Sequence, residues 1–227
     1  MAKLLHILFS KTLANKNKYK NTMNYPSIYL ENVINELSKL PGVGKRTALR
    51  FALHLLAEDE QETTRLAECL LNMKKEIKLC KHCYSISDND VCEVCANEKR
   101  NHNIVCVVEN IRDVMAIENT NQYQGVYHVL GGVISPVDGI GAKDIRMAEL
   151  VERIAKENIE EIILALPTTM EGDTTCFYIN KLVKDFNVKV SAIARGVAIG
   201  DNIEYADEIT LGRSIANRMP FEKIYSR

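Results

Sequence analysis

No stretch of this chain is long and apolar enough to cross a bilayer, no internal repeat is evident, and the charges nearly cancel. The formal net charge is −1, from 29 Lys+Arg against 30 Asp+Glu in 227 residues. The first apolar run, Leu4-Leu5-His6-Ile7-Leu8-Phe9, is far shorter than the roughly 20 residues a membrane helix needs. Lys3 precedes it, but no clear small-residue cleavage site follows, so it is a poor secretory signal. The expectation is a cytoplasmic protein with no membrane partner. In that reducing setting, closely spaced cysteines bind metal instead of oxidising. A clear nucleophile is also missing, and none of the tyrosines sits in an obvious cleavage setting. That weighs against an enzyme.

The near-zero charge hides an asymmetry. Residues 1–103 carry 16 Lys+Arg against 12 Asp+Glu, and residues 104–227 carry 13 against 18. A basic front and an acidic back suggest different partners. The length allows one large domain or two smaller ones. Residues 1–22 include a Lys/Asn-rich stretch from Lys11 to Thr22 and are expected to be a disordered extension. Met23 is a natural start for the folded chain.

Four of the seven cysteines form two pairs, Cys80-Lys81-His82-Cys83 and Cys92-Glu93-Val94-Cys95, with eight residues between them. A two-residue spacer lets both sulfurs of a pair turn to one side of a tight loop. Four thiolates then close a tetrahedron around one Zn²⁺ and leave no open position for an activated water. The site is therefore read as structural. Without metal, a sixteen-residue loop would have little core to fold around. Cys69, Cys106 and Cys176 fall in apolar stretches and are read as core thiols.

Apolar residues recur with a helical period over Ile28 to Leu40. Pro41-Gly42-Val43-Gly44 interrupts them. The period resumes from Lys45 to Leu56, with Ala48, Phe51, Ala52 and Leu55 on one face. A third helix is expected over Glu60 to Ile77. Gly42 and Gly44 permit a tight hairpin, and the second helix starts near Gly44. Its free N–H groups and positive dipole end make a phosphate site. Lys45 and Arg46 stand at that mouth, and Arg50 lies one turn along. Such contacts hold DNA by its backbone without reading sequence. The alternative is an ordinary helix pair with a solvated basic turn, but the dipole disfavours cations at a helix start.

After Asn103 the rhythm changes. Ile104 to Val108 reads as a strand buried on both faces, Asn110 to Asn119 as a helix and Gly125 to Leu130 as a strand. Asp144 to Lys156 reads as a helix with Ala148, Val151, Ile154 and Ala155 inward. Glu161 to Leu166, Thr174 to Phe186 and Val188 to Ala192 follow as strand, helix and strand. This alternation implies an α/β fold with a mostly parallel sheet and helices on both faces. Glu109, Glu171 and Asp173 then fall just past strand C-termini, where an open sheet gathers ligand groups. If they converge, Mg²⁺ would relieve their repulsion and could serve phosphoryl transfer. The alternative is a set of exposed caps, with Asp173 suited to a helix start.

The order of these strings resembles the bacterial recombination mediators of the RecR family. The resemblance rests on Leu40-Pro41-Gly42-Val43-Gly44-Lys45, the four-cysteine finger, Tyr127-His128-Val129-Leu130-Gly131-Gly132, Ser135-Pro136 and Asp138-Gly139-Ile140-Gly141. Pro167-Thr168-Thr169-Met170-Glu171-Gly172-Asp173, Ala194-Arg195-Gly196-Val197 and Glu204-Tyr205-Ala206-Asp207-Glu208 extend it over nearly the whole chain from about residue 23. It implies a helix-hairpin-helix domain over 23–79, a zinc finger over 80–95 and a Toprim domain over 103–198. A short helical and β C-terminal segment over 199–227 would carry a Walker B-like stretch, with a nucleotide or Mg²⁺ near Asp207 and Glu208 left open. It further implies a non-enzymatic, ring-shaped tetramer that encircles double-stranded and gapped DNA in the nucleoid. Such a ring would act with RecO and RecF to load RecA on DNA coated with single-strand-binding protein. Lys45, Arg46 and Arg50 are the implied DNA contacts, held in place by one structural Zn²⁺ per subunit. Glu109, Glu171 and Asp173 are implied partner contacts. A Toprim-type Mg²⁺-dependent nuclease is the alternative, and an adaptor that binds only proteins is a third reading. Two departures stand out: the front extension, and Leu166 where many members carry Asn.

Overall fold

The computed structural model describes residues 25–222. The expected disordered extension over 1–22, with Met23 as start, lies outside the described residues. The chain divides into two compact units at Met73/Lys74.

The first unit is built on two helices, α1 (Ile28–Leu37) and α2 (Lys45–Ala57), followed by α3 (Glu60–Glu76). Ser27 opens α1 by accepting the Tyr29 N–H at 3.2 Å. The helix ends three residues before the expected Leu40. Pro41 disfavours helical backbone at the residue before it. The chain instead tightens through Lys39 N–H to Glu36 O and Leu40 N–H to Leu37 O. Buried Ile34 meets Ala48 and Ala52 of α2, with Leu30, Leu37, Val43 and Leu49 around them. Of the face expected on α2, Phe51 is exposed and Leu55 half-buried. No residue of α3 is buried, and Cys69 on it is exposed, against the core-thiol expectation.

The second unit takes in the last residues of α3 and then the finger: β1 (Lys78–Leu79), β2 (Ile86–Ser87) and a short helix α4 (Glu93–Ala96). Then come β3 (Asn101–Val108), α5 (Ile111–Glu118), β4 (Gly125–Val129), α6 (Met147–Lys156), β5 (Glu161–Ala165), α7 (Met170–Leu182) and β6 (Lys189–Ala192). The four long strands form one parallel sheet in the order β4-β3-β5-β6. Because side chains alternate along a strand, β3, β4 and β5 each feed two cores. Val105, Val107, Val126, Leu130, Ile162 and Leu164 pack with Leu150 and Ile154 of α6 and Ile179 and Val183 of α7. Cys106, Val108, Tyr127, Val129 and Ala165 pack on the other face with Val114 of α5 and with Cys80, Cys83 and Cys92. A 3-10 turn (Ile203–Tyr205) and α8 (Glu208–Ala216) complete the described chain, with no buried residue in either.

Two helices depart from their sequence reading. In α6 the buried residues are Met147, Leu150, Arg153 and Ile154, while Ala148 and Ala155 are exposed. The inward face is rotated because it includes Arg153, whose charge is paired and hydrogen-bonded (below). The helix α7 starts at Met170, not Thr174. Thr169 caps it by accepting the Gly172 N–H at 3.2 Å. Glu171-Gly172-Asp173, expected between β5 and the helix, is therefore helical. A Cβ at Gly172 would lie 2.0 Å from the Pro167 carbonyl oxygen, so only glycine lets the helix start this close to β5. Asp173 therefore stands in the first turn and is not the cap.

Candidate nucleic-acid interface and metal centre

Leu40-Pro41-Gly42-Val43 forms a hydrogen-bonded turn, with Val43 N–H donating to Leu40 O at 3.0 Å. Pro41 sits at the second position and Gly42, at φ +77°, at the third, as a type II turn requires. Gly44 is the N-cap of α2, in extended backbone and without a side-chain cap bond. No acidic residue occupies the first turn. The first N–H groups of α2 are therefore open to an external acceptor. Gly42, Gly44, Lys45, Arg46 and Arg50 are all exposed, and no Cβ at either glycine would meet another atom within 4 Å. Arg50 lies 5.7 Å over the Phe51 ring, a cation–π contact that leaves its charge in place, and no acid pairs with it among the described residues. The structure thus brings the five expected residues to one exposed corner.

Cys80, Cys83, Cys92 and Cys95 bring their sulfurs within 4.8 Å of one another. Sulfurs about 2.3 Å from a tetrahedral Zn²⁺ lie about 3.8 Å apart, and Cys83 and Cys92 are 3.5 Å apart. Backbone N–H groups point at the sulfurs: Cys92 N–H reaches Cys80 Sγ at 3.3 Å, and Cys95 N–H reaches Cys92 Sγ at 3.5 Å. These donors favour thiolates. The hydrogen bonds of Cys83 and Cys95 hold the Cys92 thiol well below the usual thiol range. The same Cys92 contact pushes Cys83 upward. All four sulfurs can be thiolates together only beside a cation. The donor set and its spacing fit Zn²⁺.

The finger is not a free loop. It shares a core with the sheet, contrary to the expectation of little core, and it belongs to the second unit. The knuckles are built onto the sheet. Val129 N–H donates to Cys83 O at 2.8 Å. Tyr84, at φ 61°, turns its ring edge-on to buried His128 at 5.5 Å and lies 5.2 Å under the Arg146 guanidinium. Burial lowers His128 to about 4, so it is neutral, and its Nε2 pairs with the Arg146 carbonyl at 2.9 Å.

The acidic residues do not gather. Among the described residues, the four cysteines are the one group of three or more potential ligand side chains that could hold a metal ion. Glu109 and Glu171 are half-buried. Asp173 is already neutralised: Arg195 Nη2 lies 2.7 Å from Oδ1 and Arg213 Nη2 4.0 Å from Oδ2. Arg195 holds the Asp173 carboxyl below its usual range. The Mg²⁺ expectation has no geometric support here. Asp207, left open as a nucleotide or metal residue, caps α8 by accepting the Thr210 N–H at 2.9 Å; Glu208 is exposed beside it. Sequence reasoning assigned no role to Arg153, Arg195 or Arg213. For Arg153 an available signal was Glu157 four residues on, the spacing of a helical ion pair.

Comparison with known proteins agrees along the chain. Family models match in order: the RecR helix-hairpin-helix at residues 30–74, the RecR four-cysteine zinc finger at 77–97, a Toprim domain at 103–194 and the RecR C-terminal region at 196–219. The recombination protein RecR of Flavobacterium johnsoniae is 56% identical over 203 residues, spanning 89% of this chain and 98% of its own length. That of Parabacteroides distasonis is 59% identical over 197 residues, spanning 87% and 95%. That of Porphyromonas gingivalis W83 is 58% identical over 197 residues, with the same coverage.

Proposed function

This chain belongs to the RecR family of recombination proteins, and on that footing we propose that it is a non-enzymatic DNA clamp of recombinational repair. The observation that carries this reading is the corner at Gly44, where three exposed cations surround open helix N–H groups. Lys45, Arg46 and Arg50 and those N–H groups hold phosphates, not bases, so the clamp accepts any sequence. One Zn²⁺ per subunit is structural. The tetrameric ring, the partners RecO and RecF, and the loading of RecA on gapped DNA rest on the family resemblance. A ring also answers the weak net charge: several hairpins facing one lumen multiply modest single contacts. Glu109, just past β3, and Glu171, in the first turn of α7, are both half-buried and are the acids left to meet a protein. Cytoplasmic, nucleoid-associated localisation follows from the same role.

The test is DNA binding by the triple variant Lys45→Glu, Arg46→Glu, Arg50→Glu, read by fluorescence anisotropy on duplex and gapped DNA across a salt series. Each lost phosphate contact lowers the log–log salt slope by about 0.9, so about 2.7 is expected per engaged subunit. All three side chains are exposed, so the thermal melt should hold. Unchanged capture of both DNA forms would leave an adaptor that binds only proteins. Mg²⁺-dependent strand cleavage abolished by Glu109→Ala would instead make the protein a nuclease. Light scattering with and without DNA reads the ring.

A further inference from the structure

The strand β4 is an edge of the parallel sheet. An open edge offers unpaired backbone groups to any passing strand. Side-by-side pairing with β3 leaves alternate residues of β4 facing outward, and each has one of its two backbone groups capped. Gly125 O accepts from Arg100 Nη1 at 3.2 Å. Tyr127 O accepts from Arg153 Nη1 at 2.7 Å. Val129 N–H donates to Cys83 O at 2.8 Å. Two of these three caps run through the first knuckle or through the residue that grips it.

Arg153 is that residue. Its side chain is only 6% exposed, which is costly for a guanidinium unless every donor is used. Nη1 also reaches the carbonyl of His82, inside the first knuckle, at 3.4 Å, and Nε donates to Glu157 at 2.9 Å. One planar fork thus joins edge strand, knuckle and helix α6. The cluster has one flank that is less covered. Cys95 is the least buried of the four ligands, and it lines a cleft of about 380 Å³ together with His82, His102, Arg153 and Glu157. That guanidinium is part of the wall of this cleft; a second cleft, on the side of Cys92 and Val94, does not include it.

We propose that Arg153 is a zinc-retaining latch: it seats the first knuckle on the β4 edge, walls the cleft beside Cys95, and so couples loss of the metal to opening of that edge. This rests on the reading of the four cysteines as a zinc site. Arg153 touches no ligand sulfur; it acts through the carbonyl of His82, and is a positioning residue. Lys cannot replace it, because an ammonium lacks the fork that reaches three acceptors.

The experiment follows zinc transfer from the full-length, zinc-loaded protein to a chromogenic chelator, together with hydrogen exchange of the strands. Arg153→Met is expected to release zinc about tenfold faster, the scale seen when groups supporting metal ligands are removed. Arg153→Lys should behave alike, and Lys156→Met, on the exposed side of α6, should release zinc at the wild-type rate. Stripping zinc from the wild type should raise exchange across Gly125–Val129 while leaving Lys189–Ala192 protected. Wild-type release from a folded Arg153→Met, or β4 exchange indifferent to zinc, overturns the latch. Where Arg153→Met does not fold, Glu157→Gln loosens the fork without removing it. A rate between wild type and tenfold supports the latch, and an unchanged rate overturns it. A wild-type protein that neither contains nor takes up zinc overturns the zinc reading itself.

Discussion

The hairpin at Gly44 and the knuckles at Cys80–Cys95 are both tight loops that aim backbone N–H groups at one point, but they use those groups in opposite ways. In the knuckles the donors point inward at sulfur, and the loop becomes part of a buried core. At the hairpin the donors point outward from a corner where every candidate contact is exposed. The first arrangement gives up accessibility for rigidity and the second does the reverse. A backbone donor holds structure or ligand according to what faces it.

The broadest way to sharpen the contrast is to remove a ligand. Cys92→Ser should abolish zinc binding and the cooperative thermal melt of the second unit, since structural zinc contributes on the order of 10 kcal/mol to folding. The helices α1 and α2 should keep their circular dichroism. A melt unchanged in the variant would mean the finger is an ornament on the sheet.

Next in size is a pair of truncations. Ile34→Ala and Leu150→Ala each remove a fully buried side chain, and each should cost about 2–5 kcal/mol. The consequences should differ. The first unit has three buried residues in its core cluster, so Ile34→Ala should cost DNA binding as well. Leu150→Ala should lower the melt and leave the DNA isotherm alone. Equal effects on DNA binding would erase the distinction between the units.

A smaller change separates shape from space. Gly42→Ala meets no atom within 4 Å but must hold φ +77°, at a cost of about 1–2 kcal/mol. Anisotropy should report weaker DNA binding with zinc content untouched.

The smallest effect is a pH dependence. Arg100 holds the Glu118 carboxyl below its ordinary value, and Tyr127 Oη helps by donating to it at 2.6 Å. A depressed folded value means the contribution is present above the unfolded value, about 4.3, and is lost as pH falls through the folded one. Glu118→Gln should therefore flatten the acid limb of the stability curve, read by denaturant melts from pH 6 to 3. An unchanged limb would exclude this pair as an acid-sensitive joint.

The sheet and the metal site were legible because each is written locally. A continuous run such as Val105-Cys106-Val107-Val108 reads as a buried strand, and a CxxC spacing carries its own geometry. The hairpin was legible for the same reason, since Pro41-Gly42 all but dictates its turn. The rest depends on contacts between distant residues. That the finger docks on β4 is set by Arg153 and Tyr127, 26 apart in sequence, and an arginine on an inward helical face defies any rule based on residue type. That the helix α7 starts ahead of Thr174 depends on Gly172 fitting against the Pro167 carbonyl, a contact no local pattern shows. The acids looked like a cluster because Arg195 and Arg213 approach only in three dimensions.

Those two arginines give the C-terminal segment an ionic tether. Arg195 precedes the segment and Arg213 lies within α8, and both converge on Asp173 at the head of α7, while α8 itself buries nothing. Partly exposed ion pairs weaken as mobile ions accumulate. Brine strong enough to weaken the proposed phosphate contacts of the hairpin will therefore also slacken the tail, so a DNA-binding assay run at one ionic strength would measure grip and tail posture together.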